Sequence, residues 1–185
     1  MSKIIKKKIK YVLYIIICFT SLHTYTQSHE KWLLITDQSV IKYQAKHLLH
    51  QWEGVNNNIE GYFNMNDNKI NISTDISDFD TGMSGRDSKT IKILNALEFP
   101  KVKFNSSNII FTENNISFDG ELDFSGVKIN KKIDGNYYYE NNKLFMDGSF
   151  SVILTDFKIK LPSLMFVKMD DLATISYNLV FKKVE

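Results

Sequence analysis

Cysteine is almost absent from this chain of 185 residues. The single one, Cys18, lies in the N-terminal segment, so the chain after it cannot form a disulfide or a thiolate metal site. The stability of that part must therefore come from its hydrophobic core. Arginine is equally scarce, because Arg86 stands alone against 22 lysines.

A strong net charge is also lacking once the N-terminal segment is set apart. Lysines between Lys3 and Lys10 are followed by an apolar run from Tyr11 to Phe19, which is too short for a transmembrane helix of about 20 residues. This plan is typical of a secretory signal peptide, and we predict that it comprises residues 1–26. Its removal takes away five lysines and no acid, so the formal charge changes from +2 to −3. Charge therefore gives no indication of nucleic-acid binding.

The signal peptide predicts a periplasmic or secreted location for a single domain of residues 27–185. Two alternatives exist for the same segment, an uncleaved anchor and a lipoprotein acylated at Cys18. Ile17 argues against the lipoprotein, because the position before an acylated cysteine favours a small side chain.

Catalytic motifs are missing as well. The sequence has no Gly-x-Ser-x-Gly, no phosphate-binding loop and no cysteine nucleophile, so we do not predict an enzyme. Asp119, Glu121 and Asp123 form an acidic row, but their alternation with apolar residues predicts a solvated strand face. His47 and His50 would share one face of a helix, whereas on a strand they point to opposite faces, and no third ligand accompanies them. We therefore predict no metal site.

What the chain has in abundance is alternation of apolar and polar residues. Each alternating stretch predicts a strand with one buried and one solvated face, which is the antiparallel pattern, and Asn-rich turns separate the stretches. About eight such strands follow one another, which predicts an all-β sandwich or closed barrel. The clearest stretches are 41–47, 59–65, 70–76, 116–124, 133–139, 144–154 and 173–181.

Two segments break this alternation. Residues 88–97 have apolar residues at helical spacing, with Asp87 or Ser88 as a possible cap and Pro100 beyond the end, so we predict a short helix over one opening of the barrel. The connection 161–168 contains Leu164-Met165-Phe166. It suits either a flexible lip for a lipid or closure of the barrel end.

Glycines on the inner strand faces bear on whether the barrel is hollow. Gly61, Gly120, Gly135 and Gly148 occupy inward positions, where glycine marks a bend, a bulge or the close approach of another group. An eight-stranded closed sheet is either filled by its own side chains or just wide enough for one slender ligand. These residues alone leave both possibilities open.

The order and spacing of several short segments resemble those of a known family. The segments are Trp32–Ile35, Val40–Tyr43 with Lys46 and His47, Val55–Phe63, Phe79–Gly82 with Arg86 and Asp87, Phe99–Ser106, and Gly120–Val127. Together they make nearly all of the chain after the signal peptide similar to the YceI-like family of exported, lipocalin-like, isoprenoid-binding proteins. The resemblance implies an eight-stranded antiparallel lipocalin-like barrel, a capping helix near 88–97, and a polyprenyl chain in the lumen, without catalysis.

The function that the resemblance implies is that of an exported carrier or scavenger of a long isoprenoid, for example a polyprenyl quinone or a polyprenyl phosphate. No other cofactor is expected, transient membrane contact is a possibility, and the oligomeric state is not predicted. The alternative is a filled barrel that acts as a protein-interaction module. The expected lining residues are Ile41, Tyr43, Phe63, Ile72, Phe104, Phe118, Leu122, Tyr137, Phe150, Leu154, Ile175 and Tyr177.

Four polar residues are candidates for contact with the ligand head group, namely Arg86, Asp87, Lys89 and His47. Arg86 could pair with a phosphate or quinone oxygen. Alternatively, it could pair with Asp87 or another carboxylate, or bond loop carbonyls, and merely hold the segment in place. Lys89 could add a second cation or be solvated, and it stands where members of the family commonly carry a histidine. His47 is expected near the mouth of the barrel.

Overall fold

The computed structural model describes residues 31–48, 50–164 and 166–184. The predicted signal peptide, residues 1–26, lies outside these ranges. Within them the chain forms twelve β-strands and one α-helix, α1 at Ser84–Ile93. The strands are β1 Lys31–Leu34, β2 Val40–His47, β3 His50–Asn56, β4 Ile59–Asn64, β5 Lys69–Asp75, β6 Lys101–Thr112, β7 Asn115–Phe124, β8 Val127–Glu140, β9 Lys143–Ile153, β10 Ser163–Leu164, β11 Val167–Lys168 and β12 Leu172–Lys183.

Eight of these strands close into the predicted antiparallel barrel. Its order is β1-β4-β5-β6-β7-β8-β9-β12, and β12 pairs back to β1. β12 is long enough to serve two partners along one edge, because Phe181 pairs with Leu34 of β1 and Tyr177 pairs with Ile41 of β2. The β2–β3 hairpin thus prolongs the wall beyond β1. We call the end of the barrel at β1 the lower end and the end at this hairpin the upper end.

The alternation of the sequence correctly predicted which side chains point inward. At the lower end these side chains meet across the axis, and Phe63, Leu144 and Phe181 have no measurable exposure. In β6 the inward positions shift from Ser106 to Ile109, because a bulge lies between Ser106 and Asn108. Trp32, Ile70, Ile116 and Met146 belong to the same cluster, so this half of the barrel is filled.

At the upper end the wall of the barrel is unpaired in two places, and the barrel widens. One is the gap between β8 and β9, and the other is the outer edge of β3. β8 and β9 pair only as far as Gly135 and Gly148. Toward the upper end, residues 127–134 of β8 pair with β7 alone, and residues 149–153 of β9 pair with β12 alone. β3 pairs with β2 along its length, and its other edge has one isolated bridge, from Val55 to Asp80. The side chains of the upper half leave an open space between the walls of the barrel.

Two segments cover the widened end. Phe157 and Ile159, which follow β9, are buried in a second apolar cluster with Leu122 and Val152, and the Phe157 ring lies 5.2 Å from that of Phe124. The other segment is α1. The helix was predicted at residues 88–97, but it begins earlier, at Ser84, and ends at Ile93, where turns follow it.

No helix within the described ranges has both the length and the apolar character needed to cross a membrane.

Candidate ligand-binding cavity

The upper half of the barrel encloses a cavity of about 610 Å³. Its walls are mainly aliphatic and aromatic side chains from β2, β5, β6, β7, β9 and β12, and α1 covers its open end. Small-molecule sites in proteins have volumes of roughly 300–1,000 Å³, so this cavity is of ligand-binding size. The expected lining residues that do border it are Ile41, Tyr43, Ile72, Phe104, Phe118, Leu122, Phe150, Leu154, Ile175 and Tyr177.

Phe63 and Tyr137 were also expected to line the lumen, and the structure places both elsewhere. Phe63 is fully buried in the lower cluster, and Tyr137 packs against that cluster with its ring 5.0 Å from the ring of Phe111. Strand alternation predicted their inward direction but not their height in the barrel. The cavity ends on Ile70, Ile133 and Leu179, which we call the floor, so the space does not run through the whole molecule.

Three of the four head-group candidates surround the opening, which we call the mouth. Arg86, Lys89 and His47 all border the cavity there. The guanidinium carbon of Arg86 lies 5.2 Å from the centre of the Trp52 ring, a cation–π contact that holds α1 against β3. His47 donates a hydrogen bond from Nε2 to the carbonyl oxygen of Val167 at 2.9 Å.

Asp87, the fourth candidate, is not among the residues that border the cavity. Its Oδ1 accepts hydrogen bonds from the backbone N–H of Thr81 at 3.2 Å and from the Thr81 hydroxyl at 2.7 Å. Asp87 therefore ties the first turn of α1 to the preceding loop. Asp87 was expected to be a possible partner of Arg86, but its carboxylate bonds Thr81.

His47 and His50 do not lie on one strand, and His47 stands at the end of β2 beside the mouth. The chain turns at Leu48, which has a left-handed φ of 50°, so the two histidines end up as directly paired partners on β2 and β3. Both border the mouth. Even so, the described residues contain no group of three or more His, Cys, Asp or Glu side chains that could hold a metal ion.

Several cavity residues were missed by the analysis of the sequence. Trp52 at the mouth escaped notice because strand β3 was not predicted, and Thr90 escaped notice because, although it lies within the predicted helix 88–97, it is polar and was not among the expected lining residues. Leu161, Pro162 and Met169 line the cavity next to the β10–β11 hairpin. The apolar character of the connection 161–168 was the signal that could have identified them.

Tyr43 connects the mouth to the wall of the cavity. Its ring lies over Gly54 on the neighbouring strand, where an added Cβ would stand only 2.2 Å from the Tyr43 ring. Burial raises the pKa of the Tyr43 hydroxyl, although hydrogen bonds with Thr90 and Trp52 oppose the shift. Gly54 thus allows Tyr43 to fold down against β3.

Tyr177 lies deeper, and its surroundings differ from those of Tyr43. Its ring lies over Gly148 and Gly135, the last pair before β8 and β9 separate. The hydroxyl is buried and has no hydrogen-bond partner among the described residues. Burial, followed by the negative charges of Asp147 and Asp134, raises the pKa of Tyr177 far above its usual value near 10.

Exposed apolar side chains gather around the upper end. Phe166, at the turn between β10 and β11, is fully exposed and has a left-handed φ of 68°, which is rare for a bulky residue. Val167 and Leu48 lie beside it, since His47 bonds the Val167 carbonyl. Leu172 and Ile153 form an exposed cross-strand pair at the same end. We call these five residues the mouth surface.

The family model described as YceI-like domain matches residues 32–181. No curated protein sequence matches the chain. Among solved structures, BcnA of Burkholderia cenocepacia aligns with a TM-score of 0.71 at 17% identity, covering 80% of this chain and 98% of BcnA.

Two other solved structures share the fold. A polyisoprenoid-binding domain from Saccharophagus degradans, implicated in plant cell wall breakdown, aligns with a TM-score of 0.70 at 10% identity, covering 83% of this chain and 98% of that domain. The YceI protein of Campylobacter jejuni gives a TM-score of 0.60 at 16% identity, with coverages of 76% and 90%. At these identities the likeness shows a common barrel.

Proposed function

This chain belongs to the YceI-like domain family, and from that premise we propose that it holds an isoprenoid or similar long apolar chain in the upper cavity. We further propose that residues 1–26 direct its export and that it acts as a carrier or scavenger outside the cytoplasm. No chemical step is part of this proposal. The observation that supports it most is the apolar cavity of about 610 Å³ beneath α1, which is closed at the floor.

The size of the cavity sets the amount of chain that it can accommodate. At about 30 Å³ for each group of the size of a water molecule, the volume has room for about twenty carbon-sized groups. Burying ten methylenes contributes about 8 kcal/mol, which corresponds to roughly micromolar affinity before the costs of association are subtracted. Burial of a hydrocarbon chain can therefore supply the affinity without a strong polar contact.

The mouth surface supports exchange of the cargo with a membrane. Phe166, Val167 and Leu48 lie next to residues that border the mouth, and their exposed apolar side chains favour the boundary between headgroups and acyl chains. Lys46 and Lys168 are exposed on the same two hairpins and would favour an anionic lipid surface.

The competing function is a protein-interaction module with a filled barrel. The lower half of the barrel fits that description, whereas the cavity of the upper half does not. The two functions differ in what happens when the cavity is blocked.

The experiment compares two tryptophan substitutions on β12. Ile175→Trp places an indole in the cavity, and Asn178→Trp places one on the exposed outer face of the same strand. Purified proteins are offered a polyprenyl quinone in detergent, and uptake is followed by native mass spectrometry. We expect uptake by the wild type and by Asn178→Trp, and at least a tenfold loss in Ile175→Trp with an unchanged circular dichroism spectrum. Absence of uptake by the wild type, or equal uptake by all three, would refute the proposal.

A further inference from the structure

The side of α1 that covers the cavity carries charge, although an apolar cavity does not require it. The residues of α1 and of its C-terminal cap that border the cavity are Gly85, Arg86, Lys89, Thr90, Ile93 and Leu94. Their spacing of three and four marks one face of the helix. A helix that covers a core normally presents apolar side chains on such a face. Ile93 and Leu94 follow that rule, whereas Arg86 and Lys89 are cations.

Neither cation has an acidic partner in the protein. None of the residues that border the cavity is Asp or Glu. Within the described ranges no ion pair involves Arg86 or Lys89. Asp87, the neighbouring acid, bonds Thr81 and does not border the cavity. The mouth therefore presents two positive charges that the described part of the chain leaves unpaired.

Arg86 is held in place by an aromatic ring, which leaves its hydrogen-bond donors free. Its guanidinium carbon lies over the Trp52 ring at 5.2 Å from the centre, and the side chain is half-buried. A guanidinium that lies over a ring keeps the N–H groups of its edge available to an acceptor. No side-chain hydrogen bond of Arg86 is present among the described residues. Arg86 is thus a positioned donor without an acceptor.

The deeper part of the cavity disfavours charge. Its floor is formed by Ile70, Ile133 and Leu179, and its walls are mainly aliphatic and aromatic. An anionic group at that depth would lose its hydration without compensation. A charged head group is therefore restricted to the mouth, and the chain attached to it must run toward the floor.

An oxygen anion matches the two cations of the mouth. A guanidinium binds a carboxylate or a phosphate through two parallel hydrogen bonds, and an ammonium group adds a point charge. Lys89 follows Arg86 on the same face of α1, so one anion at the opening can meet both. The cavity beneath has room for about twenty carbon-sized groups, which suits a single hydrocarbon chain.

We propose that Arg86 and Lys89 bind an anionic oxygen head group of the cargo at the mouth, a carboxylate or a phosphate monoester, with the hydrocarbon chain directed toward the floor. This inference rests on the proposed function. It narrows the cargo from any long apolar molecule to single-chain anionic amphiphiles, and it makes Arg86 and Lys89 specificity-determining residues.

The first test compares probes that share one branched C20 chain, namely phytol, phytanic acid and phytyl phosphate. Isothermal titration calorimetry below the critical micelle concentration gives their affinities for the wild type. We expect phytanic acid, phytyl phosphate or both to bind at least about tenfold more tightly than phytol, the value of one hydrogen bond to a charged group. The comparison of the acid with the phosphate identifies the source of the anion.

Substitutions in α1 then locate the head group. Arg86→Gln and Lys89→Gln each remove one cation from the cavity side of the helix, whereas Lys92→Gln removes an exposed lysine that does not border the cavity. We expect the preference for the anionic probe over phytol to fall about tenfold in Arg86→Gln and about threefold in Lys89→Gln. Lys92→Gln should keep it. Because Lys89 is exposed, its substitution tests the site even if Arg86→Gln loosens α1.

The second test reports the direction of the chain. Trp52 borders the mouth, and Trp32 is the only other tryptophan, so Trp32→Phe leaves one fluorophore at the mouth. This protein is saturated with hexadecanoic acid brominated either beside the carboxyl group or at the chain terminus. Bromine quenches an indole only at short range. We therefore expect severalfold stronger quenching by the acid that carries bromine beside its carboxyl group.

The outcomes separate the two proposals. If the wild type binds none of the probes, the proposed function and this inference fail together. If phytol binds as tightly as both anionic probes, the cavity takes neutral chains and only the inference is overturned. A loss in Lys92→Gln as large as in Lys89→Gln overturns it too, and so does stronger quenching by the terminal bromine. The same holds if Arg86→Gln weakens phytol and the anion equally while Lys89→Gln changes neither, because Arg86 would then only hold α1 in place.

Discussion

At the scale of single residues, this barrel uses glycine to position tyrosine. Gly54 allows the Tyr43 ring to lie against β3 near the mouth, and the pair Gly135 and Gly148 does the same for Tyr177 near the floor. The two tyrosines differ in their partners. Tyr43 bonds Thr90 and Trp52, whereas Tyr177 has no partner among the described residues.

The raised pKa of Tyr177 makes a prediction about alkaline stability. A hydroxyl whose pKa is higher in the folded than in the unfolded chain supports folding fully below its usual pKa near 10, and this support is lost as pH rises above that value. We expect the free energy of unfolding of the wild type to fall relative to Tyr177→Phe above pH 10, by at most about 1.4 kcal/mol per pH unit. Urea denaturation of both proteins at a series of pH values measures the difference, and parallel curves would contradict the expectation.

At the scale of secondary-structure elements, α1 is the least expected part of the fold. Gly85 is a poor helix former, and no side chain caps the start at Met83, so local signals favoured a later beginning. Contacts from elsewhere hold the first turn, namely the bond of Asp87 to Thr81 and the contact of Arg86 with Trp52.

Loss of the Asp87 carboxylate should loosen α1 selectively. We expect Asp87→Ala to destabilise the protein by about 1 kcal/mol, because two hydrogen bonds to a half-buried carboxylate disappear. Amide hydrogen exchange over residues 81–93 should accelerate more than in the barrel strands. Ser88→Ala, an exposed change in the same helix, is the control. Equal exchange in both variants would show that Asp87 does not anchor the helix.

The strands were predictable from sequence, whereas the places where they separate were not. A period of two predicted the inward positions of Ile72, Phe118 and Leu179 because alternation is a local property. The separation of β8 from β9 beyond Gly135 depends on what β9 meets on its other side, which only the folded chain determines. The turn at Leu48 has neither Gly nor Asn, so the pairing of His47 with His50 had no local signal.

At the scale of the whole molecule, the barrel divides stability and binding between its two halves. The lower half is filled by side chains such as Phe63 and Phe181, which have no measurable exposure. In the upper half the wall is unpaired between β8 and β9 and along the outer edge of β3, and α1 and the segment after β9 cover the end. Buried apolar contacts are therefore concentrated at the closed end.

This division predicts unequal costs for two matched substitutions. Phe63→Ala should lower the free energy of unfolding by about 3–5 kcal/mol, because it creates a void in a filled core. Phe150→Ala should cost distinctly less, since that side chain already borders the cavity and is only partly buried. Urea denaturation of the ligand-free proteins gives both values. A Phe150→Ala cost equal to that of Phe63→Ala would mean that the cavity is filled in solution.

The floor formed by Ile70, Ile133 and Leu179 has a consequence for transport. A cavity with one opening takes up and releases its ligand by the same route, so the architecture imposes no direction on transport. Net flow would follow the difference in chemical potential of the lipid between donor and acceptor. Replacing one occupant by another therefore requires an intermediate in which the cavity is empty.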